Sequence, residues 1–249
     1  MKVKKILISQ PQPENEKSPY FDLVSQFNVE IDFKPFIRVQ GLTASEFRKQ
    51  KIYFKDYTAV IFTSKNSVDH FFRLCSEMRY TPPESLKYFC VTEVIALYTQ
   101  KYIVYRKRKI FFGTRDLTEL IDLLKKHSGE KFLIPVSDVC KNEQHQLLED
   151  SKINYTKAVI YKTVHNNLSK MGELDYDMMI FFSPEGIKSL FKNFPAFQQN
   201  NMRIGAFGNS TSQAVLDAGL RLDLQAPLPE APSMAKALEI YLSKNNSGK

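Results

Sequence analysis

Chemistry in this chain would come from hydroxyls and backbone N–H groups. Ser64 and Ser183 each follow a short apolar run, Ala59–Thr63 (AVIFT) and Met178–Phe182 (MMIFF), and each opens a stretch with one apolar side. That side is Val68, Phe71, Phe72 and Cys75 in the first stretch and Ile187, Leu190, Phe191 and Phe194 in the second. The i, i+3, i+4, i+7 spacing is the buried face of a helix. Serine suits the N-cap, and Pro184 suits the first helical position. A strand running straight into a capped helix points unpaired N–H groups outward, which makes a small anion site. Ile204–Gly219 (IGAFGNSTSQAVLDAG) offers a third such site. Gly208 and Asn209 read as a tight turn and Ser210 as a cap, with Gln213 completing a capping box. Thr211 reads as lying in the exposed first turn, and Gly219 ends the helix. Functionally this is an anion cradle; structurally it is a well-capped helix. Tyr161 closes the apolar strand VIYKT, where a phenol can donate a proton or hold a leaving group. The bland alternative is a strand aromatic filling a gap between domains.

Other chemistries find no support. Neither GxxxxGK followed by Ser or Thr nor GxGxxG occurs, so the phosphate loops of common nucleotide sites are missing. No GxSxG elbow surrounds a serine. Asp175 and Asp177 read as a solvated turn. His70, His127, His145 and His165 are isolated, and the gaps between Cys75, Cys90 and Cys140 match no metal motif. Three cysteines point to a reduced, cytoplasmic compartment. The apolar cluster in MKVKKILISQ is too short for a signal peptide, and no run approaches the roughly 20 residues of a membrane span. The net charge of +8 favours a polyanionic partner or simply keeps the chain soluble. The run Arg106–Lys109 (RKRK) could touch phosphates, yet it lacks the interleaved aromatics of a nucleic-acid surface and reads more readily as a solvated face.

The elements that must position these groups alternate strand and helix. Strands are expected at Lys5–Ser9, along Val29–Val39 around Pro35, and at Val60–Thr63, Tyr88–Val91 and Tyr102–Tyr105. Helices are expected over Tyr20–Phe27, Leu42–Lys51, Asn66–Glu77, Glu93–Gln100 and around Leu117–Leu124. The pattern then restarts. Phe132–Val136 resembles the opening strand, and Ile153–Val164 parallels Val29–Val39. Met178 follows Ala59 by 119 residues, each opening a matching unit. Ile204–Phe207 parallels Tyr88–Val91, Ser210–Ala218 parallels the helix from Val94, and Ser233–Tyr241 parallels Asp116–Leu124. Matches in the same order imply two homologous α/β halves. Their parallel sheets would be covered on both faces, with ligands at the carboxyl ends of the strands and a cleft between domains as the natural site.

With these residues in hand, the chain resembles the uroporphyrinogen-III synthase family. Val60–Val68 (VIFTSKNSV) is similar to the family's "viFTSxnaV", and Val159–Thr163 (VIYKT) to its "vYxT". Ile180–Ile187 (IFFSPEGI) is similar to "vvFtSpsgv", and Gly208–Gly219 to "GxxTaxaaxxxG". Ala226-Pro227 through Pro232-Ser233-Met234 is similar to the closing "AxxPt" helix. Together they run nearly end to end. One departure is Thr92-Glu93-Val94-Ile95-Ala96, the first-half counterpart of the glycine turn, which has no glycine; a Thr-Ser in place of Thr-Ala is a milder one.

The resemblance implies an α/β fold of two similar doubly wound parallel-sheet domains joined by a two-stranded β linker, one domain being discontinuous. Residues 1–37 and 165–249 would form the split domain and residues 40–162 the other, the halves having exchanged their opening β-α-β pieces. Strands Phe33–Val39 and Ala158–Val164 would be the paired linkers, leaving a flexible angle between domains. The implied reaction cyclises the linear tetrapyrrole hydroxymethylbilane to uroporphyrinogen III, with inversion of ring D and loss of water, in haem biosynthesis. The substrate readily loses its hydroxyl to give an azafulvene and, unassisted, closes to isomer I. The enzyme's task is therefore positioning the attack on the substituted carbon of ring D. No metal and no cofactor is called for. On this resemblance Tyr161 assists hydroxyl departure, while Thr63, Ser64, Ser183, Ser210, Thr211 and the Gly208–Asn209 backbone hold carboxylates. A cytoplasmic monomer is expected, with no nucleic-acid or membrane partner. The rival is a non-catalytic two-domain binding protein for an anionic ligand, kept open by the missing glycine near Thr92. A basic RNA-binding protein rests only on the charge and RKRK.

Overall fold

The computed structural model describes residues 2–15, 17–139 and 142–246. Cys140 lies outside them, as does the side chain of His145. The chain divides into two compact units, Met1–Arg38 with Val164–Lys249, and Val39–Thr163.

The discontinuous unit is built on a five-stranded sheet. Its strands are β1 (Lys5–Ile8), β2 (Glu30–Phe33), β9 (Met178–Phe181), β10 (Arg203–Phe207) and β11 (Leu224–Ala226), in the order β11-β10-β9-β1-β2 and parallel throughout. Alternation along the strands supplies both faces. Ile6, Ile8, Met178 and Ile180 pack beneath α1 (Pro19–Phe27) and α9 (Met234–Asn246). Leu7, Met179 and Phe181 turn to the other face, under α7 (Pro184–Asn193) and α8 (Asn209–Asp217). Sheets covered on both sides bury near-continuous apolar strands, as MMIF shows, and each such side chain contributes about 1.5–3 kcal/mol.

The continuous unit repeats the plan. Strands β7 (Phe132–Ser137), β8 (Tyr155–His165), β4 (Ala59–Phe62), β5 (Lys87–Cys90) and β6 (Ile110–Phe112) run parallel in the order β8-β7-β4-β5-β6, and β3 (Ile37–Gly41) adds a sixth strand beside β8. Its helices are α2 (Ala44–Arg48), α3 (Lys65–Glu77), α4 (Glu93–Tyr98), α5 (Leu117–Lys126) and α6 (Asn142–Asp150). The core is rich in aromatics, with Phe47, Phe62, Phe71, Phe89 and Phe132 almost wholly buried.

Both five-strand arrays therefore follow one doubly wound order, 2-1-3-4-5 if each is numbered from β1 or β7. The opening β-α-β of each half lies in one sheet with the later strands of the other half. Adjacent strands β3 and β8 carry the two passages of the chain between units. Pro35 lies between β2 and β3, where no ladder needs its missing N–H.

Two expectations fail locally. Tyr102–Tyr105 is not a strand. Tyr102 is drawn instead into a hydrogen bond with Asp69 and a ring stack on Phe72, and the strand that pairs with β5 begins at Ile110. The helix expected over Leu42–Lys51 is confined to Ala44–Arg48, fixed by a Thr43–Glu46 capping box.

Candidate functional site

In a doubly wound sheet the crevice opens at the carboxyl ends of the strands where the order reverses. In the continuous unit that point lies between β7 and β4. Ser64, just past β4, caps α3: its Oγ accepts from the Ser67 N–H at 3.1 Å, and the Ser67 hydroxyl bonds back to the Ser64 carbonyl at 2.6 Å. Both serines are thus locked, and Ser64 keeps an edge for a further bond. That edge meets Tyr161, with 3.5 Å between the two hydroxyl oxygens. Tyr161 is aimed there by an irregularity in the β7–β8 ladder, where pairing steps from Val136–Val159 to Ser137–Tyr161. The Asp138 N–H then bonds the Tyr161 carbonyl at 3.1 Å. The His70 imidazole stacks on the Tyr161 ring, 5.2 Å between centroids. Burial first, and then the neighbouring Arg73 charge, hold the His70 pKa below its ordinary value, against the opposing pull of Asp69. Thr63, Ser64, His70 and Tyr161 are all half-buried.

In the discontinuous unit Ser183 caps α7, accepting from the Gly186 N–H at 3.2 Å, and Pro184 occupies the first turn as expected. Beside this cap the His165 Nε2 lies 3.1 Å from Glu185, whose other oxygen holds Lys188 at 2.6 Å. The Lys188 bond, outweighing burial, keeps Glu185 below the usual carboxylate range. The adjoining strand β10 ends just before Gly208, and Phe182 and Phe207 bring the two turns side by side, ring centroids 5.9 Å apart.

The third helix mouth departs from its sequence reading. Gly208 itself is the N-cap, at φ 87°, and α8 begins at Asn209. Ser210 is therefore a second-position residue and does not cap, and Gln213 bonds forward to Asp217 at 2.8 Å instead of closing a box. The cause is the left-handed glycine, which turns the chain earlier than a serine cap could. The carbonyl of Gly208 accepts from Thr211 and Ser212. The N–H groups of Asn209 and Ser210 meet no protein acceptor among the described residues. Thr211 is buried, only 1% exposed, not part of an exposed turn. The buried Ser212 hydroxyl beside it has no partner among the described residues. Gly219, at φ 71°, ends the helix as read.

The structure thus joins Ser64 to Tyr161 within one unit and sets Ser183 beside Gly208–Thr211 within the other. His70 and the His165–Glu185 pair were missed, because sequence spacing alone left each histidine isolated. Arg106–Lys109 forms a tight turn at the amino end of β6, with Arg106 paired to Glu84 at 3.0 Å.

The profile of the family described as uroporphyrinogen-III synthase HemD matches residues 20–236. No curated protein matches the sequence. Among solved structures, uroporphyrinogen-III synthetase from Helicobacter pylori aligns with a TM-score of 0.64 at 18% identity, covering 97% of this chain and 100% of that one. A mutant uroporphyrinogen III synthase from the extremely thermophilic bacterium Thermus thermophilus aligns with a TM-score of 0.55 at 12% identity, with the same coverage.

Proposed function

The chain belongs to the uroporphyrinogen-III synthase family, a cyclising lyase of tetrapyrrole biosynthesis, and from that premise we propose how its residues divide the work. The family reaction closes hydroxymethylbilane to uroporphyrinogen III with inversion of ring D and loss of water. Tyr161 gives its phenolic proton to the departing hydroxyl as the carbon–oxygen bond breaks, releasing water and leaving a tyrosinate and an azafulvenium cation, which becomes the azafulvene when its pyrrole N–H proton is lost. Ser64 orients the phenol. Thr63 and Ser64 at the mouth of α3, Ser183 at that of α7, and Ser210 with the Gly208–Asn209 backbone at that of α8 hold substrate carboxylates by N–H and hydroxyl donation. Thr211 serves this set from beneath, shaping the turn that carries Asn209 and Ser210. The observation that carries the assignment is the Ser64–Tyr161 hydroxyl pair at a strand-order reversal, 3.5 Å apart.

The two compact units act as two domains in this reading, with residues 1–37 and 165–249 in one and 40–162 in the other. The protein works as a cytoplasmic monomer without cofactor, nucleic-acid or membrane partner. Cys75 and Cys90 are buried free thiols, and no helix among the described residues is long and apolar enough to cross a membrane.

The test is incubation of the purified protein with freshly prepared hydroxymethylbilane, followed by oxidation and separation of isomers I and III. Mostly isomer III is expected. Isomer I alone, at the rate of the blank, would overturn the reading and favour an anion-binding protein.

A further inference from the structure

Behind Tyr161 lies an arrangement that neither the fold nor helix capping requires. The Arg73 guanidinium, on α3, donates from Nε to Nδ1 of His70 at 3.3 Å, from Nη2 to the Leu42 carbonyl at 2.7 Å, and from Nη1 to Glu77. A nitrogen that accepts from a permanent cation is unprotonated, so the His70 proton sits on Nε2 and the ring is neutral. The ring faces of His70 and Tyr161 lie within 27° of parallel. Arg73 in turn keeps this pose, though not its place in the fold, only while position 41 is glycine. A Cβ there would lie 2.5 Å from Nη2 and 2.7 Å from both Nε and Cζ of the guanidinium. Gly41 is in strand β3 with no left-handed torsion, so its backbone does not call for glycine. The space it leaves does.

We propose that Arg73 and His70 are positioning residues for Tyr161, and that Gly41 is glycine in order to seat the guanidinium that locks them. The chain of support runs from Leu42 and Glu77 to Arg73, from Arg73 to one imidazole tautomer, and from that ring face to the phenol opposite Ser64. The groups facing His70 are Arg73 and Asp69 from its own helix and Tyr161 from β8. Rotation of the imidazole would break the Arg73 bond, so the stack holds one orientation of the Tyr161 ring. This rests on the reading of Tyr161 as the proton donor.

Gly41→Ala tests the proposal while leaving Arg73, His70 and Tyr161 in the chain. In the full-length protein it lowers kcat by about tenfold with KM moved by less than about twofold, since misplacing a reacting group costs rate and not binding. It also removes the single His70 tautomer from the nitrogen NMR spectrum and shifts the Tyr161 ring signals. Arg73→Gln does the same without adding a Cβ at position 41. In a Tyr161→Phe background Gly41→Ala has no further effect on kcat. The proposal is overturned if Gly41→Ala leaves kcat and the ring signals unmoved, or if it lowers kcat by the same factor in the Tyr161→Phe background. Full activity of Tyr161→Phe would sink the proton-donor reading separately, and the tautomer and ring signals would still decide whether Arg73 and His70 position the phenol.

Discussion

Helices α4 and α8 hold the same place in the two halves of the duplication, each leaving the fourth strand of its sheet, yet their mouths differ. Thr92 caps α4 with its own hydroxyl, accepting from the Ile95 N–H at 3.4 Å. Gly208, at positive φ, has no side chain to offer α8, and the Asn209 and Ser210 N–H groups meet no acceptor among the described residues. The neighbouring pair, α3 and α7, is capped alike by Ser64 and Ser183. Duplication has thus kept one pair of mouths and separated the other. Capping answers a helix's own need for acceptors, whereas an uncapped mouth leaves that need for a ligand to meet. On this contrast we propose that the discontinuous unit is the stronger anion binder and that the continuous unit carries the proton donor.

The sharpest break of that division is Tyr161→Phe. Turnover should fall by about 10²–10⁴ with carboxylate binding retained, as for loss of a general acid; a raised KM with unchanged kcat, read in steady-state kinetics, would make Tyr161 a binding residue and erase the division. Next comes Gly208→Ala, which forces a side chain into φ 87° and should cost about 1–3 kcal/mol of stability while raising KM for hydroxymethylbilane. Thr92→Ala removes only an N-cap, so a thermal melt should record about 1 kcal/mol lost and kinetics an unchanged KM. A KM rise matching that of Gly208→Ala would show the two mouths to be equivalent. Smaller still is the pH response of His70. Its folded pKa lies below 6.5, so between that midpoint and 6.5 the unfolded chain binds the extra proton, and stability rises with pH across that window. NMR titration of His70 should find the lowered midpoint, and Arg73→Gln should raise it. The least effect on binding is expected from Thr211→Val: the residue is buried, so KM should stay within about twofold, and the loss of its hydroxyl should register in a thermal melt instead, at about 1–3 kcal/mol.

Much of the fold was legible because the duplication wrote the same alternation twice. MMIF and AVIF announce buried parallel strands, and Ser64, Ser183 and Pro184 announce the helix starts that the structure displays. Tyr102–Tyr105 misled because a short apolar alternation does not reveal that Tyr98 and Tyr102 are held by Asp69, 29 and 33 residues earlier in the chain. Ser210 misled because a serine two places past a glycine satisfies the capping pattern, and only the backbone torsion of Gly208 decides which residue caps. The role of His70 could not be read at all: its stacking partner Tyr161 lies far along the chain and reaches it only through strand pairing. Gly41, plain in the sequence, acquires meaning only once Arg73 is seen against it.

The exchanged opening segments set an order on synthesis. Strand β1 is made before Val39–Thr163, yet its neighbour β9 is made only after the whole of that unit. At about 5–20 residues per second the continuous unit has the time to fold while strands β1 and β2 wait with a bare edge. These earlier-made strands are thus among the last to be buried. A nascent chain in which Thr163 has just cleared the ribosome would hold one finished unit and, upstream of it, two exposed apolar strands for a chaperone to bind.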